Sequence, residues 1–409
     1  MEVLYTHCAG LDIHKEVVLA CRITPDAQGQ PRKEVQRFKT LTQDLLRLGD
    51  WLAEAEVTHV AMEGTGVYWK PLYNLLEDRF ALLLANARHI KQVPGRKTDV
   101  RDCEWIADLL RHGLLRPSFV PPRPQRELRE LTRYRTSLTE EKAAETNRLQ
   151  KTLEGGNVKL TSVASKVLGV SGRRMVQALA AGEADVAVVA DLAVGSLRQK
   201  VAQLAAALEG RLERHQRFLL TLQLARIERL EADIAQVSAE IAARLAAEAA
   251  VLERLDAIPG VGRRLAEIIV AEIGTDMTAF PTAGQLASWA GLCPGNHESA
   301  GKRLSGRTRK GNKALRAALV EAAQAAAHTK DTYLRSLYDR LAARRGRKRA
   351  VIAVAHRQIR VVHHLLRTGE SYSEAGYQEL DGPDRERQAA RLRRRLEQLG
   401  YRVALEPVA

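Results

Sequence analysis

The alternation of strand-like and helix-like patterns over the first 115 residues constrains the fold of this 409-residue chain more than any other feature. Three β-prone runs come first (residues 4–12, 16–23 and 35–38). Leucine and tryptophan then recur at helical spacing over 41–55, and two short apolar runs follow (58–62 and 80–84). The resulting order of three strands, helix, strand, helix and strand predicts one mixed α/β domain, and the length of the chain predicts further domains behind it.

Four acidic residues mark positions where such a domain could hold metal. The element order is that of a ribonuclease-H-like α/β core, with Asp12 on the first strand and Glu63 at the end of the fourth. Asp99 and Asp102 share a face of a helix predicted over 98–112. Catalytic metal ions need hard oxygen ligands, and carboxylates supply them. The set predicts a metal-dependent nuclease centre, although acids in a first helical turn often serve only as capping groups.

A net charge of +15 and a pI of about 9.8 favour a polyanionic partner, because clustered Lys and Arg displace the counterions on nucleic acid. A generic basic surface that aids solubility is the alternative. No apolar run reaches 18 residues and no secretory signal is recognisable, so no membrane association is expected. The four cysteines are scattered and form no zinc motif, which predicts a reducing, cytoplasmic compartment.

Two long helices are predicted in the middle of the chain, over 123–153 and 197–248. In the second, apolar residues repeat every seven residues, with two more at intervening positions (Leu220, Ile227, Ile234 and Ile241, with Leu230 and Val237). This seam is typical of a coiled coil and favours association of subunits. Packing against the first long helix of the same chain is the alternative.

A turn at 259–262 separates two apolar helical patterns and is typical of a helix-hairpin-helix. Gly260 and Gly262 would let backbone amides approach a phosphate at a helix N-terminus. A tight interhelical turn without a ligand is the alternative.

Two basic segments follow. The first, 291–316, has no acid from Gly301 onward, and its interleaved Gly, Ser and Thr are typical of a flexible surface that wraps a nucleic-acid backbone. A solvated charge run is the alternative. The second precedes a helix that runs to Leu366. The candidate phosphate-binding cations are Lys302, Arg303, Arg307, Arg309, Lys310, Lys313, Arg344, Arg345, Arg347, Lys348 and Arg349.

Four regions are therefore predicted. Residues 1–122 form the α/β domain and 123–250 the helical, coiled-coil region. Residues 251–370 form a mostly helical C-terminal domain with the helix-hairpin-helix and the basic loop. Residues 371–409 form a basic tail with a helix at 384–399.

The acids and the basic loop together resemble the IS110-family transposases, in particular the IS1111 group. Five motifs carry the resemblance and stand in the family's order: GLD at 10–12, EGTGVY at 63–68, KTDVRD at 97–102, PGVG at 259–262 and ESAG at 298–301. They extend over nearly the whole chain.

The resemblance implies a RuvC-like domain whose Asp-Glu-Asp-Asp tetrad is Asp12, Glu63, Asp99 and Asp102, and a transposase domain with Ser299 as nucleophile. It implies two Mg²⁺ ions per site and a covalent phosphoserine link to DNA. Its partners would be donor and target DNA, a structured noncoding guide RNA, and further copies of the chain in a dimer or tetramer. The RuvC-like domain of one subunit would meet the transposase domain of another, in the bacterial cytoplasm at the nucleoid.

Two other functions are compatible with parts of the sequence. A RuvC-type endonuclease or junction resolvase would use metal-activated water, but it has no use for Ser299. A basic scaffold would use the acids only as capping groups. Within the basic loop, Ser305 and Thr308 are rival hydroxyls, and His297 and Glu298 are candidate proton acceptors.

Overall fold

The computed structural model describes residues 2–64, 66–86, 90, 99–295, 297–299, 302–308, 310–374, 393–394, 396–398 and 400–404. The chain divides into two compact units, 1–123 and 124–409. None of the helices in the described ranges is both long enough and apolar enough to cross a membrane. The predicted division of the second unit at residue 250 stays a prediction, and the tail helix expected at 384–399 lies mostly outside the described residues.

The first unit is built on a five-stranded mixed sheet. Its strands are β1 (Cys8–Ile13), β2 (Val17–Pro25), β3 (Pro31–Lys39), β4 (His59–Glu63) and β5 (Ala81–Ala85), and its helices are α1 (Thr42–Glu54), α2 (Trp69–Leu76) and α3 (Asp99–Arg111). The strand order is β3-β2-β1-β4-β5, antiparallel from β1 to β3 and parallel across β1, β4 and β5. The predicted succession of three strands, helix, strand, helix and strand is confirmed.

The two faces of the sheet bury different side chains because successive residues of a strand point to opposite sides. On one face Leu11 and Met62 pack with leucines of α1 and α2 (Leu45, Leu48, Leu52, Leu72 and Leu76). On the other face Cys8, Cys21 and Ala61 pack with α3 through Cys103, Ile106, Ala107 and Leu110. Burial raises the pKa of the thiols of Cys8 and Cys21 to about 12. These cysteines therefore act as small apolar core residues.

The backbone of α3 lies directly against Gly10 of β1. A Cβ atom built on Gly10 would lie 2.3 Å from the backbone nitrogen of Ala107 and 2.3 Å from the backbone oxygen of Cys103. Only glycine leaves room for this contact. The crossing fixes α3 against the strand that carries Asp12.

The described part of the second unit is mainly helical. Its elements are α4 (Arg123–Gly155), α5 (Leu160–Val163), α6 (Val170–Ala181), α7 (Val186–Asp191), a 3-10 helix (Gly195–Lys200), α8 (Val201–Leu208), α9 (Arg214–Arg244), a second 3-10 helix (Ala246–Glu248), α10 (Ala249–Asp256), α11 (Arg263–Ile273), α12 (Ala283–Trp289), β6 (His297–Ser299), β7 (Lys302–Ser305), α13 (Lys313–Ala326), α14 (Tyr333–Arg345) and α15 (Arg347–Thr368).

The single helix predicted over 197–248 was wrong, because the chain breaks between α8 and α9. At the break Gly210 lies against the end of α4, and a Cβ atom there would be 2.5 Å from the backbone oxygen of Gly156. The backbone amide of Arg211 donates to that same oxygen at 2.7 Å. A capping box between Glu213 and Gln216 then starts α9.

The first half of the predicted coiled-coil seam is buried within the chain. Leu220, Leu224 and Ile227 of α9 join one core with Leu149 and Leu153 of α4 and with residues of α6 and α8. The alternative, packing against the first long helix, therefore accounts for this half of the repeat. Ile234 and Val237, further along α9, are half-buried. Association of subunits through a coiled coil stays a prediction.

The C-terminal helices of the second unit pack around α15, which contacts α10, α12, α13 and α14. Polar groups buried on α15 bond to backbone oxygens of neighbouring turns. The side-chain amide of Gln358 donates to the oxygen of Pro259 at 2.9 Å, and the imidazole of His363 bonds to the oxygen of Phe280 at 2.8 Å. These bonds satisfy polar groups that would otherwise be costly to bury.

Candidate functional site

The carboxylates of the first unit lie where neighbouring parallel strands end. Leu11 of β1 pairs with Met62 of the parallel strand β4. Asp12 directly follows Leu11 and Glu63 directly follows Met62, so the two acids lie side by side on adjacent strands. Asp102 lies on α3, which crosses β1. Asp99 is the first residue of α3, and its side chain lies outside the described residues.

Asp12 is in electrostatic contact with two of the other predicted acids. Burial raises the pKa of Asp12, and the imidazole of His14, which bonds to its carboxylate at 3.0 Å, lowers it. The carboxylates of Asp102 and Glu63 raise the pKa of Asp12 further. The structure therefore brings Asp102 and Glu63 each close enough to Asp12 to repel its carboxylate.

These carboxylates fit a divalent metal in donor type and in charge. Hard oxygens are the ligands that Mg²⁺ prefers, and a dication would offset the repulsion around Asp12. In the part of the chain that the structure describes, no three His, Cys, Asp or Glu side chains form a group that could hold a metal ion. The match between these residues and Mg²⁺ therefore rests on their donor atoms and their charge.

Ser299 lies in a β-hairpin of the second unit. Its backbone ends β6 and pairs with Lys302 of β7 across residues 300 and 301, which lie outside the described residues. An irregularity between His297 and Glu298 interrupts the pairing. Within the segment expected to be a flexible loop, 297–299 and 302–305 therefore pair as two short antiparallel strands, whose backbone groups satisfy each other. The side chains at 297–299 and 302–304, and residue 309, lie outside the described residues.

The base of this hairpin is closed by backbone bonds. The amide of Gly295 donates to the oxygen of Arg307 at 3.0 Å, and the amide of Asn312 donates to the oxygen of Trp289 at 3.1 Å. A Cβ atom on Gly311 would lie 2.3 Å from the backbone nitrogen of Gly291, so glycine is required for this closure. Both ends of the segment that carries Ser299 are thus held against α12.

A buried carboxylate holds the hairpin base to the long helix α4. Glu272 of α11 is fully buried, and its carboxylate accepts bonds from the guanidinium of Arg133 at 2.7 and 2.9 Å. The side-chain amide of Asn312 donates to the same carboxylate at 2.7 Å, and Arg129 lies 3.3 Å away. Sequence reasoning missed this group. The available signal was Asn312, a favoured N-cap type directly before a helix.

The two glycines of the predicted helix-hairpin-helix have different surroundings. The turn joins α10 to α11, and Gly260 has φ of 84°. A Cβ atom on Gly260 would lie 2.1 Å from the backbone oxygen of Ala322 in α13, so packing accounts for this glycine. Gly262 is the N-cap of α11, and a Cβ atom there would meet no atom within 4 Å. Of the two positions, only Gly262 leaves open space toward a ligand.

The structure brings several predicted cations together. Arg344 and Arg345 end α14, and Arg347, Lys348 and Arg349 begin α15. A cleft of about 970 Å³ brings Arg345, Lys348 and Arg349 together with Arg307 from the base of the hairpin. Lys310 is exposed and Lys313 begins α13, and neither lines this cleft.

Two family models match the chain. The model for the DEDD domain of IS110 elements, described as a transposase, matches residues 9–158 and so spans all four acids. The model for the transposase IS116/IS110/IS902 family matches residues 252–339 and spans the 259–262 turn and the hairpin. Together they match more than half of the chain.

Three curated proteins are similar over part of their length. The insertion element IS110 uncharacterized 43.6 kDa protein of Streptomyces coelicolor is 38% identical over 121 residues, 29% of each chain. The transposase for insertion sequence element IS1111A of Coxiella burnetii is 36% identical over 124 residues, 29% of this chain and 34% of the relative. A putative transposase of Sinorhizobium fredii is 33% identical over 128 residues, 30% of this chain and 33% of the relative. The alignments thus span about a third of these relatives.

Proposed function

Because this chain belongs to the IS110 family of transposases, we propose that it cuts and rejoins DNA in the transposition of an insertion sequence. The observation that carries the proposal is the placement of Asp12, Glu63 and Asp102. Two lie at the ends of adjacent parallel strands and the third on the helix that crosses them, and both Asp102 and Glu63 raise the pKa of Asp12. The strand order of the sheet supports a ribonuclease-H-like, RuvC-like assignment for this unit.

The tetrad Asp12, Glu63, Asp99 and Asp102 would hold Mg²⁺, two ions per site. When bound, the metal polarises the scissile phosphate and makes a nearby hydroxyl more acidic. The role of this unit is to supply fixed carboxylates, and the repulsion around Asp12 is the charge that a cation would offset.

Ser299 is the proposed nucleophile. Its hydroxyl attacks the phosphorus, a phosphoserine bond forms, and the bond to the 3′ oxygen breaks. The serine proton passes to a base, for which His297 and Glu298 are the candidates, and the 3′ oxygen takes up a proton. The reverse attack by a 3′ hydroxyl restores serine and a phosphodiester, so the reaction needs no external energy source. The closed base of the hairpin supports this role because it limits the positions that β6 can take.

The proposed partners are donor and target DNA, a structured noncoding RNA that guides them, and further copies of the chain in a dimer or tetramer. The net charge of +15 and the cations at 307, 310, 313, 344, 345 and 347–349 support nucleic-acid binding. Affinity should fall steeply with salt, because each phosphate contact releases counterions. Binding that does not change between low and moderate salt would contradict this part of the proposal.

A trapping assay tests the chemistry. Purified protein, Mg²⁺, end-labelled DNA and the element's noncoding RNA are mixed and separated on a denaturing gel. We expect a labelled protein–DNA adduct that is lost in Ser299→Ala and in Asp12→Ala. Ser305→Ala tests the rival serine at the end of β7 and should keep the adduct. Ser336→Ala is the matched control, since Ser336 is an exposed serine of α14 that does not line the cleft.

Two outcomes would overturn the proposal. Cleavage without an adduct that survives Ser299→Ala and is lost in Asp12→Ala would identify a RuvC-type nuclease that uses water. An adduct lost in Ser305→Ala and kept in Ser299→Ala would move the nucleophile to the rival serine.

A further inference from the structure

The cleft of about 970 Å³ between the hairpin base and the helices α14 and α15 has two kinds of lining. Apolar side chains form one part of it (Leu292, Leu341, Ile352 and Ala353). Four cations, Arg307, Arg345, Lys348 and Arg349, form another, and no aspartate or glutamate is among the described residues that line the cleft. The cleft therefore combines apolar surface with concentrated positive charge.

The positive charge of this cleft is not neutralised within the described chain. Among the described residues, none of the four lining cations forms an ion pair with an acidic side chain. Three cations, Arg347, Lys348 and Arg349, occupy the first turn of α15, which has no acidic residue and no side-chain cap. Cations are disfavoured at a helix N-terminus, so an anion in the cleft would relieve this repulsion.

A neighbouring cleft of about 950 Å³ beside α14 and α15 provides a comparison. It also contains cations, including Arg335, but Arg335 is paired with Asp339 at 2.7 Å. Charge in that cleft is partly compensated by the protein itself. That cleft also contains Arg347 and shares Lys348 with the first, but an aspartate lines it, whereas the described residues that line the cleft at the hairpin base include no acid.

Apolar surface beside unpaired cations matches a nucleic-acid strand whose bases are not paired. Unpaired bases can contact apolar side chains while their phosphates contact Lys and Arg. In a duplex the bases are stacked inside and present few apolar faces. The hydroxyls of Ser305 and Thr308 and the imidazole of His356 also line the cleft. Burial, with the nearby charges of Arg360 and Arg357, lowers the pKa of His356 and so favours its neutral ring.

We propose that this cleft binds an unpaired segment of the DNA strand next to the phosphate that Ser299 attacks. The assignment to DNA rests on the proposed function and on chain connectivity. Ser305, Arg307 and Thr308 belong to the same hairpin and its base as Ser299, so a strand in the cleft passes beside the hairpin. The cleft thus supplies the contact that holds the opened strand.

The test measures binding by fluorescence anisotropy, with the full-length chain in the Ser299→Ala background and EDTA present, so that no chemistry occurs. The probes are oligothymidylate, an abasic strand of the same length, oligouridylate, and a duplex. We expect oligothymidylate to bind about tenfold more tightly than the abasic strand of equal charge, because base contacts contribute to affinity.

Two variants locate that binding. Arg349→Glu should weaken oligothymidylate binding about tenfold more than Arg211→Glu, which changes the net charge equally at a side chain that is 94% exposed and outside the cleft. Ala353→Trp fills the apolar part of the cleft and should remove the preference for oligothymidylate over the abasic strand. Circular dichroism checks that each variant is folded. Photocrosslinking of 4-thiothymidine strands gives a measurement without these substitutions, and the crosslinks should map to 292–308 or 341–356.

The proposal is overturned if the thymidylate and abasic strands bind equally, or if Arg349→Glu and Arg211→Glu have equal effects. It is also overturned if Arg349→Glu weakens oligouridylate and leaves oligothymidylate unchanged, since the cleft would then be an RNA surface. Because the assay needs neither metal nor Ser299, loss of the covalent adduct with retained cleft binding would contradict the chemistry and leave the cleft in place. The opposite pattern would contradict the cleft alone.

Discussion

The side-chain amide of Asn312 donates a 2.7 Å hydrogen bond to the carboxylate of Glu272, which has no exposed surface. Asn312 also accepts a bond from the backbone amide of Leu315 at 3.0 Å and so caps α13. One asparagine therefore caps a helix, closes the hairpin base and donates a hydrogen bond to a buried carboxylate. Bidentate Arg133 supplies the opposite charge.

Asn312→Asp should destabilise the second unit more than Asn312→Ser does. Both replacements keep a capping oxygen, but aspartate loses the donor and places a second carboxylate against Glu272. We expect an additional cost of about 1–3 kcal/mol at neutral pH. The introduced carboxyl regains a donor when it is protonated, so the extra cost should shrink as pH falls toward about 4. Urea denaturation at several pH values measures this, and equal stabilities of the two variants throughout would contradict it.

Asp12→Asn should stabilise the first unit at neutral pH while it abolishes activity. Burial raises the pKa of Asp12, so its ionised form opposes folding above that pKa, and asparagine removes this cost. The gain should vanish below about pH 3.9, where aspartate is protonated in the folded and unfolded chain alike. Thermal unfolding provides the measurement. Glu16→Gln is the control, because it removes the same charge from an exposed side chain between β1 and β2. It should leave the melting temperature unchanged.

Mg²⁺ should raise the melting temperature of the unmodified chain, and EDTA should reverse the effect. A ligand present at about 100 times its Kd stabilises the folded state by about 2.7 kcal/mol. Asp12→Asn should lose most of this response because one carboxylate of the proposed site is absent. An equal response in both proteins would place the bound metal elsewhere.

Gly260→Ala should mainly lower the stability of the fold, whereas Gly262→Ala should mainly weaken DNA binding. Alanine at 260 combines a positive φ with a contact of 2.1 Å to the backbone of Ala322, and we expect a loss of about 3 kcal/mol or more. Alanine at 262 meets no atom within 4 Å, so the fold should lose less than about 1 kcal/mol. If Gly262 approaches a phosphate, its replacement should weaken DNA binding without unfolding. Denaturation and binding curves measured side by side separate these effects.

Replacement of Phe218 and Leu222 by serine should reduce self-association without unfolding the chain. These residues lie one turn apart on α9 and are 63% and 52% exposed, so their apolar surface is available to a second copy. Sedimentation at several concentrations measures the change. Leu220→Ser is the contrasting variant, because Leu220 is fully buried and its loss should lower stability instead. Monomer at every concentration in the unmodified chain would contradict the expected oligomer.

The first unit was predictable because its signals are local. Strand and helix periods gave the succession of elements, and the strand-end positions of Asp12 and Glu63 followed from it. The register that sets them on adjacent parallel strands depends on pairing between distant segments, which periodicity does not encode.

The second unit was less predictable for the same physical reason. A heptad repeat has the same sequence pattern whether its apolar residues pack against another chain or within their own. Only the three-dimensional structure shows that Leu220 and Ile227 share a core with Leu149. Glu272 was missed because a buried acid is recognisable only through its partners, and Arg133 and Asn312 are far from it in sequence. The helix break at Gly210 likewise depends on contact with Gly156.

The crossing at Gly10 has a consequence for how variation in this chain should be interpreted. Residue 10 is a glycine and takes no direct part in the chemistry. One added methyl group there would collide with the backbone of Ala107 and Cys103 and move α3 away from β1. The displacement would carry Asp102 away from Asp12 without altering either acid. A natural copy with alanine at this position could retain every recognised acidic residue and still be inactive, so counting intact tetrads would overestimate the number of mobile elements in a genome.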